Sequence, residues 1–277
     1  YLLAGGFLLW AVLRQEWNLA EPPQEERRED SLTLRTRPLI LGGVLLLASF
    51  MAFGGNQFNI LNTGLWLAGV FCVAYGFWLE ETTPNSGWPE RLRGLFQPGK
   101  WQIHLNPHIL VVVALALLAI FFRAYRLDSV PPEMNSDHAE KLLDVYDVLQ
   151  GQTHIIFIRN TGREAFQFYL TALVAQVLGT GISFMSLKIG ALLCGLLTLP
   201  FIYLFSKESL GRGAGLVAVT LAAMAYWPNV IARVALRFTL YPLFVAPTLY
   251  FLLRGLRTQR RNDFILAGLA LGIGLHT

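Results

Sequence analysis

Of 277 residues, 54% are hydrophobic and only 14% are charged, a balance that excludes an ordinary soluble globular domain and points to an integral membrane protein. The net charge of +4 does not argue for nucleic acid as a partner, because the basic residues cluster in short linkers beside apolar stretches, where they set orientation in a bilayer. Cys72 and Cys194 stand in separate apolar segments with no Cys or His at ligand spacing, so they read as small buried hydrophobes and imply neither a disulfide framework nor a metal.

Apolar segments are predicted near 1–13, 38–54, 62–79, 108–124, 184–205, 214–231, 238–253 and 264–277. The chain opens with Tyr inside an apolar run and stops inside another, GLALGIGLHT, so truncation at both ends is expected. Between 13 and 38, RQEWNLAEPPQEERREDSLTLRTR reads as a solvated linker. The loop 80–107 carries Trp88, Phe96 and Trp101 as interfacial anchors. The apolar stretch 166–178, FQFYLTALVAQVL, covers only about 20 Å of a hydrocarbon core about 30 Å thick, so it is expected to enter the membrane without crossing it.

Charge agrees with that reading. With 166–178 not spanning, Arg14, Arg27, Arg28, Arg35, Arg37, Arg91, Arg93, Lys100, Lys207, Arg212, Arg254, Arg257, Arg260 and Arg261 all fall on one side, which the positive-inside rule makes cytoplasmic. The polar loop 124–183 and the turn near 227–237 then face outward. Within that loop the residues Ala139, Leu142, Leu143, Tyr146 and Leu149 form an amphipathic helical stripe ending at Gly151, with Asp137, Glu140, Asp144 and Asp147 on the opposite face.

The loop holds the residues that could carry chemistry. Asp137 stands three residues before Glu140, a spacing equally suited to a helix N-cap with its capping-box partner and to a carboxylate that orients or deprotonates an acceptor hydroxyl. Arg163 and Glu164 precede the short segment, where the Arg could pair with its neighbour or bind a lipid phosphate. Arg233 and Arg237 are i and i+4 at the outward end of an apolar segment, against the orientation bias, and two cations there suit a phosphate headgroup. Lys188, near the start of an apolar segment, reads as a snorkelling side chain or one that reaches the same cavity. His108, His138 and His154 lack metal-motif spacing, and no Gly-rich phosphate loop or GxSxG is present. A transporter is disfavoured, because the ionisable residues sit in loops and at segment ends rather than at mid-membrane.

The order FFRAYRLDSVPPE, SDHAEKLLDVYDVLQGQ, NTGREAFQFYLTALVAQVLG, IARVALRFTLYPLF and LAGLALGIGLHT resembles the membrane glycosyltransferases of the GT-C fold, in the family-39 and aminoarabinose transferase-like branch related to protein O-mannosyltransferases. The resemblance covers about 108–277. It implies an all-α polytopic membrane protein with a GT-C-like core over 108–277, whose outward loop 124–183 is catalytic; residues 1–107 lie outside the resemblance and read as N-terminal transmembrane helices and cytoplasmic linkers. It further implies transfer of a sugar from a polyprenyl-phosphate donor, with inversion, to a lipid, polymer or protein hydroxyl at the outer face of a bacterial inner membrane. Membrane lipids and other membrane proteins are the expected surroundings, and nucleic acid is not a partner.

By the same resemblance Asp137 takes the place of an essential Asp, with Glu140 as its nearby companion. Arg163, Arg233 and Arg237 would hold the donor phosphate, and Glu164 matches an acidic residue before the short helix. Three positions depart from the family pattern: His138 where an acid usually follows the Asp, Ala165 for Pro, and Ala232 for Ser. No protein metal site is expected, and the cofactor question stays open to a divalent cation. A non-catalytic subunit that kept the scaffold is the competing expectation.

Overall fold

The computed structural model describes residues 34–79, 107–159 and 162–277. In chain order the elements are α1 (Thr36–Ala52), α2 (Ile60–Phe77), α3 (Pro107–Ala124), α4 (Ser136–Leu149), β1 (Ile156–Phe157), β2 (Arg163–Glu164), α5 (Phe166–Val177), α6 (Phe184–Leu210), α7 (Arg212–Met224), α8 (Tyr226–Val234), a 3-10 turn (Arg237–Thr239), α9 (Leu240–Thr258) and α10 (Arg261–Gly274). The all-α membrane architecture is as the sequence implies. Among the described residues α2, α6 and the 3-10 turn with α9 are each long and apolar enough to cross a bilayer, and α7 with α8 passes the same test only as a bent pair, a broken span or a re-entrant loop. The expected apolar run 1–13, nearly all of the linker after it, and residues 80–106 of the next loop, with Trp88, Phe96, Trp101, Arg91, Arg93 and Lys100, lie outside the described residues, as do Arg14, Arg27 and Arg28.

α1 and α2 form a tight antiparallel pair. A Cβ at Gly42 would come within 2.8 Å of Val73, and one at Gly69 within 2.8 Å of Leu46, so the glycines set the close approach of the two helices. At the turn between them Asn59 caps α2 and Asn62 returns the bond, a reciprocal capping box.

The single segment predicted over 214–231 is in fact broken. α7 ends at Met224 and α8 sets off at 52° to it. Pro228 explains the break: it has no N–H for the Met224 carbonyl, and its ring collides with that carbonyl if α7 continues. The carbonyls so released are recovered by side chains. Asn229 donates to Ala223 and Ala225, each at 2.8 Å, and the buried Arg123 donates to Ala222 at 3.1 Å and Ala223 at 3.3 Å.

Two further cations fix the turn after α3. Lys188 is buried and donates to the carbonyls of Leu127 (2.8 Å) and Pro131 (2.7 Å), with its ammonium 4.4 Å from the Phe184 ring centroid. It therefore does not snorkel. Arg233 donates to the carbonyls of Phe122, Arg123, Arg126 and Val130 at 3.0–3.3 Å.

The helix ends sort into two sets. Arg35 bonds Gly76, Leu79 exchanges hydrogen bonds with Asn262, and Arg257 pairs with Glu208, which gathers the α1 start, the α2 end and the α6–α7 and α9–α10 turns. Arg35, Arg37, Lys207, Arg212, Arg254, Arg257, Arg260 and Arg261 are all at or beside that end. The opposite end carries the 53–59 turn, α4, the β1–β2 hairpin, the start of α6, and α8.

α5 has 12 residues, about 18 Å of helix. Its first flank pairs with α4 through Arg163, and its second flank bonds the start of α6, where Phe184 packs on His138 of α4. Both flanks thus lie at one end of the bundle. Cysteines placed at Gly55 and Gln150 in a Cys72→Ala, Cys194→Ala background are expected to react with an impermeant maleimide from the same side of the membrane, and a cysteine at Thr258 only from the other. Joint labelling of 150 and 258 would contradict this arrangement.

Candidate functional site

The site is assembled on α4, and its start differs from the sequence expectation. The N-cap is Asn135, whose side chain accepts the His138 N–H at 3.2 Å, while His138 Nδ1 accepts the Asn135 N–H at 3.1 Å. Asp137 is therefore not a cap. It sits in the first turn with a half-exposed side chain, where the helix dipole favours its negative charge.

Because His138 Nδ1 accepts, Nε2 carries the proton, and it donates to the Val234 carbonyl at 2.6 Å. Burial lowers the pKa of this imidazole, more than the Val234 carbonyl and Asp137 raise it, so it stays neutral. A carboxylate at 138 could not donate that bond. His138 therefore ties α4 to the last turn of α8.

The neighbouring carbonyl, at Ala235 in the left-handed region, accepts from Gln167 Nε2 of α5 at 3.2 Å. The end of α8 is consequently fixed between α4 and α5. Arg237 follows two residues later, and its guanidinium pairs with Glu164 at 3.1 Å.

β2 brings the second cation. Arg163 Nη2 donates to Glu140 at 3.2 Å and lies 3.7 Å from Asp137 Oδ1, while its Nη1 is buried with no hydrogen-bond partner among the described residues. Arg163 and Glu164 do not pair with each other. Because adjacent strand residues point to opposite faces, one reaches α4 and the other reaches Arg237.

Arg163 thus gathers Asp137 and Glu140 on one face of β2, and Glu164 holds Arg237 on the other. Arg233 is engaged elsewhere: its terminal nitrogens donate to Phe122 and Arg123 at the end of α3 and to Arg126 and Val130 in the turn after it.

Lys141 also belongs to the group, although no sequence motif marks it. It is buried, bonded to the Asp137 carbonyl at 3.4 Å, and close enough to Arg163, Asp137, Arg237 and Glu140 to feel the charge of each. Desolvation first, and then Arg163, push its ammonium down to about 8. Its i+4 spacing from Asp137 is a visible signal, but a Lys there usually reads as a solvated ion pair.

The face of α4 turned into the protein is polar: His138, Lys141, Asp144 and Val145 are buried, whereas Leu143 and Tyr146 are exposed. Asp144, fully buried, accepts from Arg159 at 2.6 Å, and Arg159 also pairs with Asp147, so the hairpin is strapped to α4. Desolvation raises the Asp144 carboxyl above its ordinary range, and Arg159 counters this. Among the described residues no group of three His, Cys, Asp or Glu is placed to hold a metal ion.

Residues 165–277 match the family model of the dolichyl-phosphate-mannose-protein mannosyltransferases. The match holds Arg233 and Arg237 and begins just after Arg163 and Glu164, and Asp137 and Glu140 precede it. No curated protein and no solved structure shows significant similarity to the chain. The family match and the membrane helices make the chain similar to membrane glycosyltransferases.

Lys141 gives a pH test of the cluster. Its pKa is about 8 in the fold against 10.5 ordinarily, so the unfolded chain binds more protons between those values and the lysine penalises folding below pH 8. The penalty disappears as pH rises from 8 to 10.5. The melting temperature of the detergent-solubilised wild type is expected to gain a few degrees on Lys141→Met across that window. Parallel curves would show an ordinary, solvated lysine.

Proposed function

We propose that the protein transfers a sugar from a polyprenyl-phosphate-linked donor to a hydroxyl of a lipid, polymer or protein acceptor at the outer face of a bacterial inner membrane. One observation supports the reading: the Asp137–Glu140–Arg163 cluster and the Glu164–Arg237 pair stand on the two faces of β2, with Lys141 in electrostatic reach of both Arg163 and Arg237, beside a short apolar helix whose two flanks share one end of the bundle. The family match supplies the reaction class. The cations at the opposite end support a cytoplasmic assignment for that end, and hence an outward site.

In this reading the donor phosphate meets Arg237 and Lys141. The Arg237–Glu164 pair is about two-fifths exposed on each side, and such pairs contribute only about 0–1 kcal/mol, so a phosphate replaces the carboxylate at small cost. Arg163 is the more buried cation, held by Glu140, and it orients Asp137. The acceptor oxygen attacks the anomeric carbon, the bond from that carbon to the phosphate oxygen breaks, and the hydroxyl proton passes to the Asp137 carboxylate. Polyprenyl phosphate leaves with the electron pair, and a single displacement inverts the anomeric centre.

The alternative is a non-catalytic subunit on the same scaffold. It draws on the fact that each site carboxylate already has a protein cation, and on His138 and Ala165 where the family carries an acid and Pro.

Asp137→Asn separates the two readings, because the cap is Asn135 and loss of the first-turn charge costs only about 0.3–1 kcal/mol. We expect a folded protein whose transfer rate from a polyprenyl-phosphate sugar falls about 10²–10⁴-fold. An Asn variant with the wild-type rate would remove Asp137 from the chemistry. A wild type that neither binds nor uses any polyprenyl-phosphate sugar would favour the subunit.

A further inference from the structure

The turn 53–59, which joins α1 to α2 and lies far outside the family match, is bonded to the segment that leads into β1. Phe58 N–H donates to the Thr153 carbonyl at 2.6 Å, and the Thr153 hydroxyl returns a bond to the Phe58 carbonyl. Ile155 N–H donates to the Asn56 carbonyl at 3.3 Å. The Asn56 amide then takes both polar groups of one residue, accepting the Ile156 N–H at 3.0 Å and donating to the Ile156 carbonyl at 2.9 Å. Gln57 and His154 form an antiparallel bridge between these contacts.

The turn thus supplies a third edge to a ladder of only two residues per strand, which is too short to hold itself. The register shows what that edge controls. Ile156 is the cross-strand partner of Glu164, and Phe157 is the partner of Arg163. Two charged residues of the site are therefore one strand away from Asn56.

Packing reinforces the link. Phe58 enters the cluster formed by Val145 of α4, Phe157 of β1 and Phe168 of α5, and meets the Tyr169 ring edge-on at 5.9 Å. Asn56 has φ +52°, a conformation that Asn tolerates better than most residues.

We propose that the 53–59 turn is a positioning strand for the site, in which Asn56 acts through Ile156 to set the place of Arg163 and Glu164 against α4 and Arg237. The N-terminal helix pair is by this proposal a working part of the enzyme. The proposal rests on the transferase reading for its kinetic consequence and on geometry alone for its conformational one.

The test uses the full chain with spin labels at Tyr146 and Ile158, one on α4 and one just after β1, in a background lacking Cys72 and Cys194. Asn56→Ala is expected to broaden the label distance distribution and to lower kcat/KM for transfer about 10–100-fold. Asn56→Asp, which keeps the acceptor for the Ile156 N–H, should recover part of both. Asn262→Ala, which cuts the attachment of the helix pair at the opposite end, should change neither. Unchanged distances in Asn56→Ala overturn the proposal, and so does a rate loss of the same size in Asn262→Ala. If Asn56→Ala does not accumulate, Thr153→Val removes one bond of the same edge and is read by the same criteria. Broadened distances in a protein with no transferase activity uphold the positioning strand and instead reject the transferase reading.

Discussion

Backbone carbonyls freed inside an apolar bundle must find donors, and meeting that demand is the constraint on which this structure depends. Pro228 breaks α7 from α8, and the turn after α3 leaves more carbonyls without helical partners. Arg123, Lys188, Arg233 and Asn229 answer them: Arg123 and Asn229 at the break, Lys188 and Arg233 at the turn. Because Lys188 belongs to α6 and Arg233 to α8, the turn is held against both helices. α4 follows directly from it, so the position of Asp137 and Glu140 traces back to these cations.

Two kinds of charge are thereby separated. Arg123 and Lys188 are buried and bound to carbonyls, and removing either leaves polar groups unsatisfied at about 1–3 kcal/mol each. Arg237, Glu164, Asp137 and Glu140 are partly exposed and paired side chain to side chain. Pairs of that kind hold geometry at little energy and exchange partners readily. Arg159 is intermediate: it is itself exposed, but it neutralises the fully buried Asp144, whose carboxylate would otherwise be left without a cation away from water. The hairpin bearing Arg163 is accordingly strapped firmly to α4, while the groups around the proposed reaction centre remain able to rearrange.

Much of the fold is legible in the sequence, because apolar length and loop charge report directly on the bilayer. Apart from 214–231, which breaks at Pro228, the described apolar segments are helices near their expected bounds, and 166–178 is short enough that its length alone tells against a crossing. Spacing fails where the answer lies in a partner far along the chain. Arg233 and Arg237 share one helical spacing, yet one binds carbonyls around 122–130 and the other binds Glu164, a difference that no local pattern encodes. The cap falls to Asn135 rather than Asp137 because Asn-Ser-Asp offers three adjacent capping residues, and His138 decides among them by returning the bond. The Trp-Pro pair at 227–228 does carry a break signal, which the continuous apolar run outweighs. Two-residue strands have no periodicity to read, so the β1–β2 ladder and its edge at 53–59 are invisible in the sequence.

The most direct check on the proposed site is to ask where the protein meets the phosphate end of a polyprenyl phosphate. A polyprenyl phosphate bearing a diazirine on the isoprene unit next to the phosphate, irradiated with the membrane-embedded protein, is expected to mark peptides from α4, from α5 and from the 3-10 turn at Arg237. Marks concentrated on 207–212 and 254–261, at the opposite end of the bundle, would contradict the placement of the site.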